Sequence, residues 1–321
     1  MNDTLRLMEA AKNYVEANRQ PDWIMAYAGG SVGRGDADSY SDLDLNIVVS
    51  SPIQRKSMNI TFEHCDIQLH VHSWNGSDAM RAAPWQNRFL SEARTVYDPH
   101  NVLGMLKPAA VDYFRSNEGR SRMLKQAHDE VEQYLQRLDS CLRYDELVGA
   151  SLAVQGAWHA AAASFVWMNC ECCSGDALLG HIRSKQPKVY EAYRSIALNQ
   201  TTTAAEMLKA LSFYRDYLRS TASSDNFALD SVMDQHIARK VERLAASKDT
   251  DGVRLLIRCE AMLCYAAAGG KIEQFGRQYR EYPAPVQEAL ASLGCAAYTS
   301  TQISELLHQV EQLTESAQQA V

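Results

Sequence analysis

The chain contains no apolar run approaching the roughly eighteen residues that a helix needs to cross a bilayer, so a helical membrane protein is not expected. It also has no surplus of basic residues. Lys and Arg number 32 against 39 Asp and Glu, a net charge of -7, which disfavours a broad nucleic-acid surface. The N-terminus lacks the basic and apolar regions of a secretory signal, and a cytoplasmic protein is expected. No Gly-Lys-Ser/Thr ending is present, so the phosphate loop of P-loop enzymes is excluded. Ala28 likewise excludes Gly-x-Gly-x-x-Gly in the register that follows it. Eight cysteines are present, but the group Cys170, Cys172 and Cys173 has no matching Cys or His pair at zinc-site spacing. Reduced, buried thiols are the simpler expectation. No internal repeat is visible.

What stands out instead is Gly29-Gly30-Ser31-Val32-Gly33-Arg34-Gly35, followed shortly by Ser41-Asp42-Leu43-Asp44-Leu45. Trp23 to Ala28 is apolar enough to be a buried strand, which the two glycines break. Glycine tolerates positive φ and lets a phosphate approach bare backbone. Ser31 is a good N-cap, and a helix N-terminus offers free N–H groups and partial positive charge to an anion. Arg34 adds a forked donor. Leu43 to Val49 reads as a second strand, on which residues two apart share a face. Asp42 and Asp44 therefore project together while Leu43 and Leu45 point to a core. Adjacent carboxylates repel unless a cation holds them, and magnesium commonly takes one or two carboxylates together with substrate phosphates. Cys65 to His72 alternates strictly, with Ile67, Leu69 and Val71 on one face and Asp66, Gln68, His70 and His72 on the other. That strand offers Asp66 as a third carboxylate, either a further ligand or the group that takes a proton from an attacking hydroxyl.

Gly30-Ser31, ten residues, then Asp42-x-Asp44 resembles the signature of the DNA polymerase beta-type nucleotidyltransferase superfamily. The wording of residues 29–45 is most similar to the bacterial nucleotidyltransferases that adenylylate aminoglycosides and lincosamides. The resemblance implies that Gly30 and Ser31, with Arg34 assisting, bind a triphosphate. It implies that Asp42 and Asp44 ligate magnesium, and that Asp66 completes the set. Glu63 and Asp98 are rivals for the third carboxylate, because its spacing varies in such enzymes. Arg94 to Pro99 resembles the strand that closes their core. The resemblance covers about the first third of the chain.

The expected fold is α+β: a small mixed β-sheet nucleotidyltransferase core over 1–106, then an all-helical bundle over 107–321 that holds the acceptor. Strands are expected near 23–29, 43–50, 65–73 and 94–97, after an opening amphipathic helix near 4–18 with Asp3 as its cap. A further helix is expected around Ala79 to Glu92, interrupted or started by Pro84. Helical spacing starts at Leu124 and continues over 146–172, 188–198, 203–220, 226–247, 252–268 and 302–318. Gly269-Gly270 marks a helix stop, and Pro283 and Pro285 a connection. Trp158, His159, Phe165 and Trp167 fall on one expected helix, where such aromatics more commonly form core than line a pocket.

The function expected from the resemblance is a magnesium-dependent transferase of phosphorus-containing groups. It moves a nucleoside monophosphate, AMP from ATP or that of another triphosphate, to a hydroxyl of a small molecule. An aminoglycoside- or lincosamide-like antibiotic is one such acceptor. Two alternatives stay open: a nucleotidyltransferase acting on a protein or an RNA, and a non-catalytic nucleotide-binding regulator. The expected partners are a nucleoside triphosphate and a small hydroxyl acceptor, with no membrane and no nucleic acid.

Overall fold

A computed structural model describes residues 2–221 and 227–320, apart from the side chain of Ser77. The fold is α+β. A five-stranded mixed sheet near the N-terminus is followed by a long series of helices. Two compact units result, one of residues 1–123 with 230–240, the other of 124–229 with 241–321. The expected boundary at 106–107 falls inside a helix, Val102–Arg115, and the first unit recovers a segment from much later in the chain.

In the first unit, α1 (Asp3–Asn18) precedes β1 (Trp23–Ala28) and the short α2 (Gly30–Arg34). Then come β2 (Leu43–Val49), β3 (Lys56–Phe62), β4 (Cys65–Ser73) and β5 (Arg94–Tyr97). The sheet order is β3-β4-β2-β1-β5. β1 runs antiparallel to both β2 and β5, while β2 and β4 are parallel. Alternation decides the faces. Leu43, Leu45, Ile47 and Ile67 are wholly buried and pack with Leu7, Ala11 and Val15 of α1. Each such side chain contributes about 1.5–3 kcal/mol by leaving water. Asn2, not Asp3, caps α1: its side chain accepts from Thr4 N at 2.9 Å.

β3 is a strand beyond the expected set. It is a partly exposed edge strand joined to β4 by the two-residue turn Glu63-His64. Both turn residues take positive φ, 48° and 61°, as a hairpin turn matched to strand twist demands. The expected helix over Ala79 to Glu92 is three short pieces: α3 (Gly76–Ala82), α4 (Pro84–Asn87) and a 3-10 turn (Arg88–Ser91). Pro84 starts the second piece, because a first helical position leaves no hydrogen bond unmade for want of its N–H.

After α5 (Val102–Arg115), the long α6 (Asn117–Arg143) leads into the second unit. There α7 (Leu147–Cys170) is apolar all round and central, packed by α15 (Ser300–Gln318). Between them in the chain come α8 (Leu178–Lys185), α9 (Pro187–Ala197), α10 (Ala204–Thr221) and α11 (Ser231–Ala246), of which 231–240 belong to the first unit. These are followed by α12 (Thr250–Ala267), α13 (Ile272–Glu281) and α14 (Ala284–Ser292). Trp158 is fully buried, stacks on Tyr193 with ring centroids 3.7 Å apart, and donates to Gln309 Oε1 at 3.0 Å. Phe165 and Trp167 are core as well. His159 accompanies them, its Nε2 3.0 Å from the Tyr193 hydroxyl.

Candidate active site

β1 ends at Ala28, and the chain turns back over the sheet end at once. Gly29 N donates to Asp44 O at 2.8 Å, which ties the turn to β2. Gly30 follows with φ 55°, and a Cβ built on it would overlap the Asp44 carboxylate. No other residue type fits there without moving the acid. Gly33 lets α2 approach neighbouring backbone closely: a Cβ at that position would come 2.5 Å from Glu92 O and 2.9 Å from Ala28 O. The cap of α2 is Gly29, with no side-chain bond, and not Ser31. Ser31 is the second helical residue, so its N–H is among the first-turn donors that the helix leaves unused.

The acids arrive on the sheet. Asp38 organises the approach: its Oδ1 accepts from Tyr40 N at 2.9 Å and from the Ser41 hydroxyl at 3.1 Å. The parallel register pairs Leu43 with Ile67 and Asp44 with Gln68. One step earlier, Asp42 stands level with Asp66. Asp42, Asp44, Asp66 and Gln68 therefore share the sheet face opposite Leu43 and Leu45.

Each carboxylate has a distinct environment. Asp42 is 7% exposed, accepts from the Gln68 amide, and lies with its Oδ2 3.0 Å from His236 Nε2. Asp66 is ion-paired with Arg239 and accepts from the Thr61 hydroxyl at 3.1 Å. Asp44 is half-buried, and its carboxyl is pushed up to about 7, first by burial and then by the neighbouring Asp42 charge. Lys240 and Arg34 act against that rise, and Glu92 adds to it.

The sequence-predicted residues thus divide. Gly30 and Ser31 form a turn directly against Asp44, and Asp42 and Asp44 face the same way. Asp66 shares their face, but its carboxylate is held by Arg239. Among the described residues no three His, Cys, Asp or Glu side chains gather as a group that could hold a metal ion. The three-acid convergence expected from the sequence is here a pair beside an arginine-bound third. Arg34 points its Nη1 at Glu92, 3.1 Å away, and its Nε at Asp36, 3.2 Å away, so both donors are engaged. The rivals for the third carboxylate do structural work instead. Glu63 sits in the β3–β4 turn and accepts from Asn13 at 3.0 Å. Asp98 accepts from Val102 N at 2.7 Å and Gly104 N at 3.1 Å at the start of α5.

Sequence reasoning missed Gln68, Glu92, His236, Arg239 and Lys240. A usable signal existed for the last three: positions 236, 239 and 240 recur at helical neighbour spacing and form one polar face of α11. Nothing local ties that face to a sheet some 170 residues earlier, the separation of Arg239 and Asp66 being 173.

No protein-family model and no curated protein matches this sequence. Among solved structures the chain is similar to a nucleotidyltransferase-like protein from Exiguobacterium sibiricum 255-15, at 16% identity and a TM-score of 0.38, over 89% of this chain and 88% of that one.

Proposed function

We propose that this chain is a magnesium-dependent nucleotidyltransferase that moves a nucleoside monophosphate from a triphosphate, ATP by preference, to a hydroxyl of a small molecule. The observation that carries the reading is the packing of the Gly30 backbone against Asp44, with Asp42 on the same face. Glycine at 30 lets bare main chain lie against the Asp44 carboxylate, so a phosphate held beside that acid would meet backbone and no side chain. A half-buried carboxylate pushed up to about 7 beside a second acid is a group that gains from a cation. The donor set, two hard carboxylates, suits magnesium.

In this reading Asp42 and Asp44 would hold the metal. Bound there, it would supply Lewis-acid neutralisation of the charge on the phosphates and on departing pyrophosphate. The chain's own groups do the rest. Gln68 fixes the Asp42 carboxylate, so it does not reorient as charge develops. Backbone N–H groups at the start of α2 hold phosphate oxygens at the glycine turn. Asp66 takes the proton of the acceptor hydroxyl once its bond to Arg239 loosens. Positioning supplies most of the acceleration. The acceptor belongs to the same proposal: a small hydroxyl compound, an aminoglycoside- or lincosamide-like antibiotic among the first to try.

The test is direct. The protein is incubated with magnesium, each of the four triphosphates and a panel of hydroxylated acceptors, and pyrophosphate release and acceptor mass are followed. Gain of one nucleoside monophosphate by an acceptor, lost in Asp42→Asn with Asp44→Asn, is expected. Full transfer by that double variant would overturn the reading.

A further inference from the structure

Residues 230–240 come back to the first unit after the chain has built most of the second. They deliver three side chains from one face of α11: two meet acids of the candidate site directly, and the third acts on Asp44 through its charge. His236, only 2% exposed, places Nε2 3.0 Å from Asp42 Oδ2. Arg239 forms the ion pair with Asp66. Lys240 draws on Asp44 electrostatically. Residues 3 and 4 apart share one side of a helix, so the three positions face the same way from α11.

We infer that this face of α11 is a counter-ion clamp on Asp42, Asp44 and Asp66, which opposes a divalent cation at the Asp42–Asp44 pair. The inference rests on the nucleotidyltransferase reading and adds a regulation of that site. The physical ground is charge. A divalent ion on Asp42 and Asp44 would stand close to Lys240 and Arg239 in a half-buried place, where like charges repel strongly. Those same cations already supply part of what the ion would offer. Free metal therefore binds weakly, and binding loosens 236–240 from the sheet. A triphosphate reverses the balance, because it brings anionic charge for the released Arg239 and Lys240 to face. Metal and nucleotide then favour one another by a coupling that the clamp creates.

The test uses the full chain and Mn2+ alone as probe. Arg239→Gln with Lys240→Gln removes two partly exposed charges and keeps polar side chains. Mn2+ binding is measured by calorimetry, and amide hydrogen exchange of 231–240 is followed in the unaltered protein with and without saturating Mn2+. The expected result is about tenfold tighter Mn2+ binding by the double variant, an ordinary coupling size, with faster exchange of 231–240 when Mn2+ is bound. Equal or weaker binding by the double variant, or unchanged exchange at saturation, overturns the clamp. The nucleotidyltransferase reading survives that result if Asp42→Asn still abolishes Mn2+ binding. If neither protein binds Mn2+, with or without a non-hydrolysable triphosphate, the reading and the clamp fall together.

Discussion

Asp44→Asn should inactivate the protein and stabilise its metal-free form. Burial and the Asp42 charge lift the Asp44 carboxyl from its ordinary 3.8 to about 7. At about 1.4 kcal/mol for each pH unit of that gap, ionising Asp44 costs the fold at most about 4 kcal/mol. The side chain is half-buried, and water at its exposed edge screens part of this, leaving about 1–3 kcal/mol. The sign follows from linkage. An acid whose pKa is raised on folding binds its proton more tightly when folded, so its favourable contribution is complete below about pH 4 and is lost as pH rises through about 7. An asparagine has no charge to bury. Asp44→Asn should therefore match the unaltered protein near pH 4, draw ahead between about 4 and 7, and keep a constant lead above. The lead corresponds to roughly 2–5 °C in melting temperature for a chain of this size. Thermal melts by circular dichroism in chelator, at half-unit steps from pH 4 to 8.5, would measure it. A variant no more stable than its parent at pH 8, or a lead that does not change with pH, would refute the reasoning.

Other substitutions separate the site from its scaffold. Gly30→Ala meets the Asp44 carboxylate and a φ of 55°, and should cost about 1–3 kcal/mol while sharply weakening triphosphate binding, read by melts and by nucleotide titration. Asp98→Ala should lower stability by about 1 kcal/mol through two lost backbone bonds at α5, with transfer activity retained; lost activity at full stability would restore it as a site residue. Trp158→Ala removes a fully buried ring stacked on Tyr193 and strands the Gln309 carbonyl, and should cost about 3–5 kcal/mol in a denaturant titration.

The parts of the fold legible in the sequence were those where one face is buried. β1, β2 and β4 alternate or run apolar, and the stripe Leu7, Ala11 and Tyr14 or Val15 marks α1, so spacing located them; β5 was expected from its resemblance alone. β3 escaped because it is an edge strand with exposed residues on both faces, and because its turn is Glu63-His64, with no glycine or asparagine to advertise it. The turn and acids of the site were legible for a related reason: glycine at 30 and aspartate at 42 and 44 answer local geometric demands within one stretch of chain. The partners of those acids were not. Gln68 is an ordinary residue on an alternating strand, and Arg239 meets Asp66 only through tertiary structure. Helical periodicity identifies which face of α11 is buried; it carries no statement of which carboxylate a polar residue on that helix will meet.

In the proposed function Asp42 and Asp44 would hold a divalent ion against phosphates seated on the turn at Gly30 and Ser31. Crystals grown with Mn2+ and a non-hydrolysable triphosphate, mapped by anomalous diffraction, test it directly. The expected map places manganese between the two carboxylates with phosphate oxygens at the backbone of the turn. Manganese bound elsewhere, or a nucleotide away from that turn, would contradict it.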